Sequence, residues 1–229
     1  FKISELISST SFMDMKIIYI VTFAAVSYLF LNLFKSFFIR NFLDEPNERS
    51  SHISSKPSGG GIVFSGLTSI SALFILLTNG FSRISFIPLI AMPLSLVGLL
   101  DDKYKLPAYG RFLVQIFTAI VLTIISDFVN FRDGNQIFFI CFLVISIVSL
   151  INFTNFMDGS DGLVASCMFL MIGNLVINLN YSLSLLVLLG TLLGFLIMNW
   201  HPSKIFMGDS GSTYLGAIFS GLLLQTNSF

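Results

Sequence analysis

The chain has 229 residues and no formal net charge; 55% of it is hydrophobic, 14% aromatic and only 10% charged. A soluble domain carries about 25% charged residues, and so few charges cannot cover a water-facing surface. This excludes a soluble enzyme, a disordered protein and a nucleic-acid binder, and leaves an all-α, polytopic membrane protein.

The first residue is Phe1, and 1–12 read as a polar lead-in, with Met13 or Met15 as natural starts. No signal-peptide cleavage pattern follows the first apolar run, which is therefore expected to stay as a membrane helix. A span needs about 20 mostly apolar residues. Runs near that length cover 16–38, 61–79, 84–100, 111–128, 136–152, 163–179, 182–200 and 212–225. They are continuously apolar and do not alternate, which selects helices over a barrel. Residues 1–229 are thus expected to form a single integral membrane domain of about eight transmembrane helices. Cys141 and Cys167 lie inside apolar runs and suggest neither a disulfide nor a zinc site.

Eight spans sort the loops into two sets. Lys35, Arg40, Arg49, Lys56, Lys103, Lys105, Arg111 and Lys204 fall on the set holding 39–60, 101–110, 153–162 and 201–211. Lys2, Lys16, Arg83 and Arg132 fall on the other. Positive charge marks the cytoplasmic side, so the first set is expected there. Asp101, Asp102, Asp158, Asp161 and Asp209 belong to the same set, which places the functional face in the cytoplasm.

Four segments carry candidate chemistry. In the long polar loop from Asp44 to Gly61, the cations Arg49, His52 and Lys56 precede a triple-glycine helix entry and could grip phosphate. Asp101 and Asp102 are adjacent carboxylates at a helix C-terminus. They repel each other and oppose the macrodipole, so water, a cation or a bound proton must compensate. Asn152, Asn155, Asp158 and Asp161 recur every third position. A continuing helix would align four oxygen-bearing side chains, whereas Gly159 and Gly162 would let the backbone turn toward a ligand. Hard oxygen donors of this kind suit Mg²⁺ or Mn²⁺, which keep water and substrate phosphate in their shell. Finally, Gly208-Asp209-Ser210-Gly211-Ser212 opens the last span, where backbone N–H groups and hydroxyls can meet an anion. His201 reads as an interfacial residue rather than a ligand. Together these features suggest a metal–phosphate site at the lipid boundary and phosphoryl transfer onto a lipid.

Those four segments, in this order between about residues 44 and 216, resemble the polyprenyl-phosphate N-acetylhexosamine-1-phosphate transferases. The loop Pro46–Lys56 looks most similar to the branch that initiates O-antigen, a lipopolysaccharide component, rather than to the peptidoglycan branch. The resemblance implies a multi-pass inner (plasma) membrane enzyme. It would transfer an N-acetylhexosamine-1-phosphate from a UDP-N-acetylhexosamine to a polyprenyl (undecaprenyl) phosphate and release UMP. It further implies that Asp209 holds Mg²⁺, with Asn155 as a second ligand, and that Asp101 or Asp102 acts on the lipid phosphate. Asn152, Asp158 and Asp161 would shape the substrate pocket, Phe206 would meet the uracil, and Lys56, Lys105 and Arg111 would contact phosphates.

Members of that family continue past the last motif helix into further spans and a substrate-contacting loop. The sequence is therefore expected to be a fragment or a C-terminally truncated form, and an inactive fragment is one alternative. An ion-coupled transporter and a transferase using CDP-activated alcohols are others; the first would place its carboxylates mid-membrane rather than at one face. The tail Gln225–Phe229 says nothing of assembly, and a homodimer stays open.

Overall fold

Each predicted apolar run lies largely within one α-helix, as expected when the backbone must satisfy its own hydrogen bonds away from water. The computed structural model describes residues 2–44, 55–126, 128–129, 136–179 and 182–226, with backbone alone for 2–13 and Asp44. Arg49 and His52 lie outside the described residues, as does Arg132. Eight helices occur among those described: α1 (Lys2–Asn41), α2 (Gly61–Asn79), α3 (Arg83–Tyr104), α4 (Ala108–Ile124), α5 (Ile137–Met157), α6 (Leu163–Asn178), α7 (Leu183–Asn199) and α8 (Gly208–Leu223). A two-residue strand pair joins β1 (Leu43–Asp44) to β2 (Lys56–Pro57), antiparallel, with Leu43 opposite Pro57. Four helices are long and apolar enough to cross a membrane: Asp14–Asn41 of α1, then α2, α3 and α5. Helices α4, α6 and α7 are apolar but shorter.

Three boundaries differ from the sequence reading in ways that matter. α1 begins at Lys2, so the polar lead-in continues the first helix. α5 runs on to Met157, which puts Asn152 and Asn155 on helix and leaves Asp158 as its C-cap. α8 starts at Gly208, so Asp209 stands in its first turn.

α8 is the hub. It packs on α3 and α5, with α2 and α6 alongside, and nearly all its residues are buried. Its Gly, Ser, Thr and Ala content permits close backbone approach, the usual basis of helix association in lipid. A Cβ on Gly98 of α3 would stand 2.5 Å from the carbonyl carbon of Asp209 and 2.5 Å from the amide nitrogen of Ser210. Hydroxyl pairs bridge helices in the interior: Ser65 Oγ to Ser95 Oγ at 2.6 Å, and Ser69 Oγ to the fully buried Tyr214 hydroxyl at 3.3 Å. At the edge, α1 lies along α7, where Gly190 and Gly194 meet the backbone of Ile20 and Ala24. The outer faces expose large apolar side chains, among them Phe74, Leu77, Phe117, Phe138 and Phe142. Such a surface suits contact with lipid.

Candidate active site

The C-terminal ends of α3 and α5 meet the N-terminal ends of α4 and α8 at one end of the bundle, and the sequence-predicted polar residues divide there into two groups. The first surrounds a cavity of about 430 Å³. Arg111, Gln115, Asn152, Asn155, Asp209 and Thr213 supply its polar lining, while Leu94, Val97, Phe112 and Phe156 are among its apolar walls.

Asp101 and Asp102 are consecutive on α3, so their side chains leave the helix about 100° apart. They serve different partners. Asp101 Oδ1 accepts the N–H of Leu106 at 2.6 Å, and its Oδ2 takes Arg111 Nη1 at 2.6 Å. Arg111 Nη1 also reaches Asp209 Oδ2 at 3.2 Å. Asp102 Oδ1 instead accepts the N–H of Asp209 at 3.2 Å, in the first turn of α8. An anionic oxygen there is favoured by the α8 dipole. The other Asp102 oxygen is buried without a hydrogen-bond partner and faces Gly208 and Ser58. Gly208 has φ +67°, and a side chain at that position would collide with the Asp102 carboxylate and the Ser58 hydroxyl. Asp101 is thus paired with a guanidinium, and Asp102 with the N-terminus of α8 through one oxygen only.

Asn155 hydrogen-bonds Asp209 and accepts the Ser212 hydroxyl at 2.6 Å. The hydroxyls expected to meet an anion are otherwise engaged. Ser212 is buried against Asn155, and Ser210 is buried and donates to the Met207 carbonyl at 2.9 Å. Asn152 and Gln115 exchange two amide hydrogen bonds, 2.8 and 3.3 Å, across α4 and α5.

The second group is built on loops. Asp161 accepts Ser203 Oγ at 2.6 Å and the Ser203 N–H at 3.0 Å. It also pairs with Lys56 Nζ at 3.3 Å and His201 Nδ1 at 2.9 Å. Lys56 donates to Ser203 Oγ at 2.8 Å and stands 5.1 Å from the centre of the Phe206 ring. Burial alone would raise the Asp161 carboxyl. The Ser203 bonds, His201 and the Lys56 ammonium overcome that and hold it down, to about 2. Backbone bonds tie this group to the first: Phe206 N–H to the Pro57 carbonyl at 2.8 Å, Gly60 N–H to the Phe206 carbonyl at 2.9 Å and Gly61 N–H to the Met207 carbonyl at 3.0 Å.

A carboxyl held low contributes stability that is complete above about pH 4, its unfolded range, and is lost as pH falls toward 2. The sole tryptophan, Trp200, reports on this loop, since a Cβ on Gly162 would lie 3.5 Å from its ring. In a His201→Gln background, Trp200 emission should stay constant from pH 7 to about 4 and shift only below. Asp161→Asn should shift it across the whole range. Equal emission in the two proteins at pH 7 would mean that Asp161 does not hold the loop.

Asn152, Asn155, Arg111 and Asp209, all expected at the site, thus share one cavity, and Asp101 touches it through Arg111. Asp161, Lys56 and Phe206 form a neighbouring cluster. Asp158 is electrostatically coupled to Asp102 and sits at the end of α5. Lys105 takes a left-handed C-cap with φ +50° and is exposed. Gln115, Ser203 and Asn199 were not singled out from sequence. Asn199 is buried and braces Gly162 at 3.1 Å and the Ile205 carbonyl at 3.0 Å. An amide inside an apolar run was the available signal for Gln115 and Asn199; Ser203 carried none.

Residues 84–227 match the model of glycosyl transferase family 4. The chain is 32% identical over 198 residues to a probable undecaprenyl-phosphate N-acetylglucosaminyl 1-phosphate transferase of Bacillus subtilis, covering 80% of this chain and 54% of that protein. It is 26% identical over 239 residues to a phospho-N-acetylmuramoyl-pentapeptide-transferase of Staphylococcus epidermidis, covering 91% and 74%. A Dictyoglomus turgidum protein of the latter name is 30% identical over 195 residues, covering 76% and 61%. The chain therefore spans about half to three quarters of the length of these relatives. With the motif residues gathered at one end of an apolar helical bundle and the family model matched over most of the chain, the protein belongs to glycosyl transferase family 4, within the polyprenyl-phosphate hexosamine-1-phosphate transferases.

Proposed function

We propose that the protein transfers an N-acetylhexosamine-1-phosphate from a UDP-sugar to polyprenyl phosphate and releases UMP, on the cytoplasmic face of the plasma membrane, in the first membrane step of a cell-envelope glycan. The observation that carries this reading is the cavity where Asp209, Asn155 and Arg111 meet at one end of an otherwise apolar bundle. Lipid phosphate and water-borne nucleotide can both reach such a place. The excess of Lys and Arg on the same loops supports a cytoplasmic orientation. The Pro46–Lys56 loop favours a role in O-antigen-like polymers.

The donor set fits Mg²⁺. Among the described residues no three His, Cys, Asp or Glu side chains group to hold a metal, and Mg²⁺ commonly takes one or two carboxylates and fills its shell with water and phosphate. Asp209 and Asn155 would supply those protein donors. Bound there, the ion would neutralise charge on the diphosphate as UMP leaves. An oxygen of the lipid phosphate forms the new bond to the sugar-bearing phosphorus, and the bond from that phosphorus to the UMP oxygen breaks. The acceptor is already anionic, so the protein's task is positioning. Arg111, held by Asp101, presents its guanidinium to phosphate oxygens. Asp102 keeps the α8 N-terminus, and hence Asp209, in place. Phe206 would meet the uracil, with Lys56 beside its ring offered to a phosphate and Asp161, paired with Lys56, shaping the same pocket.

The test is radiolabel transfer from UDP-N-acetylglucosamine to undecaprenyl phosphate in detergent, with Mg²⁺ or EDTA, using the product of the complete gene beside the 229-residue chain. Label should enter lipid only with Mg²⁺. Failure with a full panel of UDP-N-acetylhexosamines would overturn the proposal.

A further inference from the structure

One nitrogen of Arg111 bridges two carboxylates from different helices: Nη1 is 2.6 Å from Asp101 Oδ2 and 3.2 Å from Asp209 Oδ2. Arg111 Nε is buried and has no hydrogen-bond partner. The side chain is 36% exposed, so its remaining surface reaches the cavity. A guanidinium carries a full positive charge, and here it faces carboxylates from two helices. Asp209 Oδ2 cannot keep that contact and also bind a divalent ion on the side where Nη1 now lies.

We propose that Arg111 is the internal counter-ion of the site before metal binds, and that a divalent cation displaces Nη1 from Asp209. Arg111 then remains tied to Asp101, and its released Nη1 hydrogen takes an oxygen of the incoming phosphate. This rests on the metal role given above to Asp209. It makes ion and phosphate mutually dependent: the ion frees the phosphate donor, and the phosphate occupies the donor that would otherwise compete with the ion. Asp101 acts as the hinge post, since its 2.6 Å bond keeps the guanidinium at the cavity in both states.

The test uses Mn²⁺ as the probe, with free ion read by electron paramagnetic resonance on the complete protein in detergent. Arg111→Met removes the competing charge and should tighten Mn²⁺ about tenfold in the absence of substrate. Arg111→Lys keeps a charge and should stay near the wild-type affinity, so the gain follows charge and not shape. Pyrophosphate should tighten Mn²⁺ in wild type and have a smaller effect in Arg111→Met. If Arg111→Met lowers the melting temperature sharply, Arg111→Gln carries the same comparison.

Mn²⁺ affinity unchanged or weaker in both neutral variants would overturn the proposal and make Arg111 an organiser of the ligands. Asp209→Asn separates the two readings. If it abolishes Mn²⁺ binding while Arg111→Met fails to tighten it, only the counter-ion role falls. If Asp209→Asn leaves binding intact, the metal role of Asp209 falls first, and the counter-ion role with it.

Discussion

Asp209→Ala should abolish Mg²⁺-dependent sugar-phosphate transfer, with kcat/KM falling by at least about 10³-fold, equivalent to about 4 kcal/mol of transition-state stabilisation. The carboxylate lines the cavity, hydrogen-bonds Asn155 and shares Arg111 with Asp101. Its removal would take away the central oxygen donor and leave Arg111 paired with Asp101 alone. The backbone effect should be small, because the bond from the residue 209 N–H to Asp102 does not depend on the side chain. The measurement is label transfer at saturating Mg²⁺, with melting temperature alongside. Activity within about tenfold of wild type, in a protein of normal stability, would remove Asp209 from the metal role.

Gly98→Ala should damage both stability and transfer although residue 98 carries no functional group. The added Cβ would meet backbone atoms of Asp209 and Ser210 at 2.5 to 2.6 Å. Backbone cannot rotate aside as a side chain can, so α3 and α8 would have to separate. Overpacking of this kind costs about 1–3 kcal/mol, which in a chain of this size lowers the melting temperature by roughly 3–10 °C. A shift approaching 1 Å between Asp101 and Asp209 would cost transfer a further ~10²-fold. Gly66→Ala is the control, since nothing lies within 4 Å of a Cβ there; it should leave transfer unchanged and, by helix propensity, melt no lower than wild type. A Gly98→Ala protein with unaltered melting and activity would show that the α3–α8 seam is more yielding than its geometry indicates.

The helices were legible because lipid imposes a simple rule: long apolar runs must close their own hydrogen bonds. The site was legible in residue type and less so in direction. Asp101 and Asp102 read as one acidic pair, yet helical geometry sends one toward Arg111 and the other beneath the N-terminus of α8. Asn152 and Asn155 kept the alignment that a continuing helix allows. Asp161 left it because the chain turns after Met157, and its partners Ser203 and His201 come from another loop about 40 residues away, as their spacing shows. No periodicity encodes such a meeting. Lys105, a phosphate partner by the resemblance, stands in the exposed left-handed turn that closes α3.

The seam between α1 and α7 has a consequence for biosynthesis. α1 is made before its main partner α7, with everything from α2 to α6 translated in between. At about 5–20 residues per second that interval is on the order of ten seconds. Throughout it, the flank of α1 that ends up against Gly190 and Gly194 has no partner there, including Ser27, which is fully buried in the finished fold. The nascent protein must therefore hold α1 in reserve, tethered but undocked, and a ribosome stalled before α7 would leave that helix as an orphan surface open to membrane quality-control proteases.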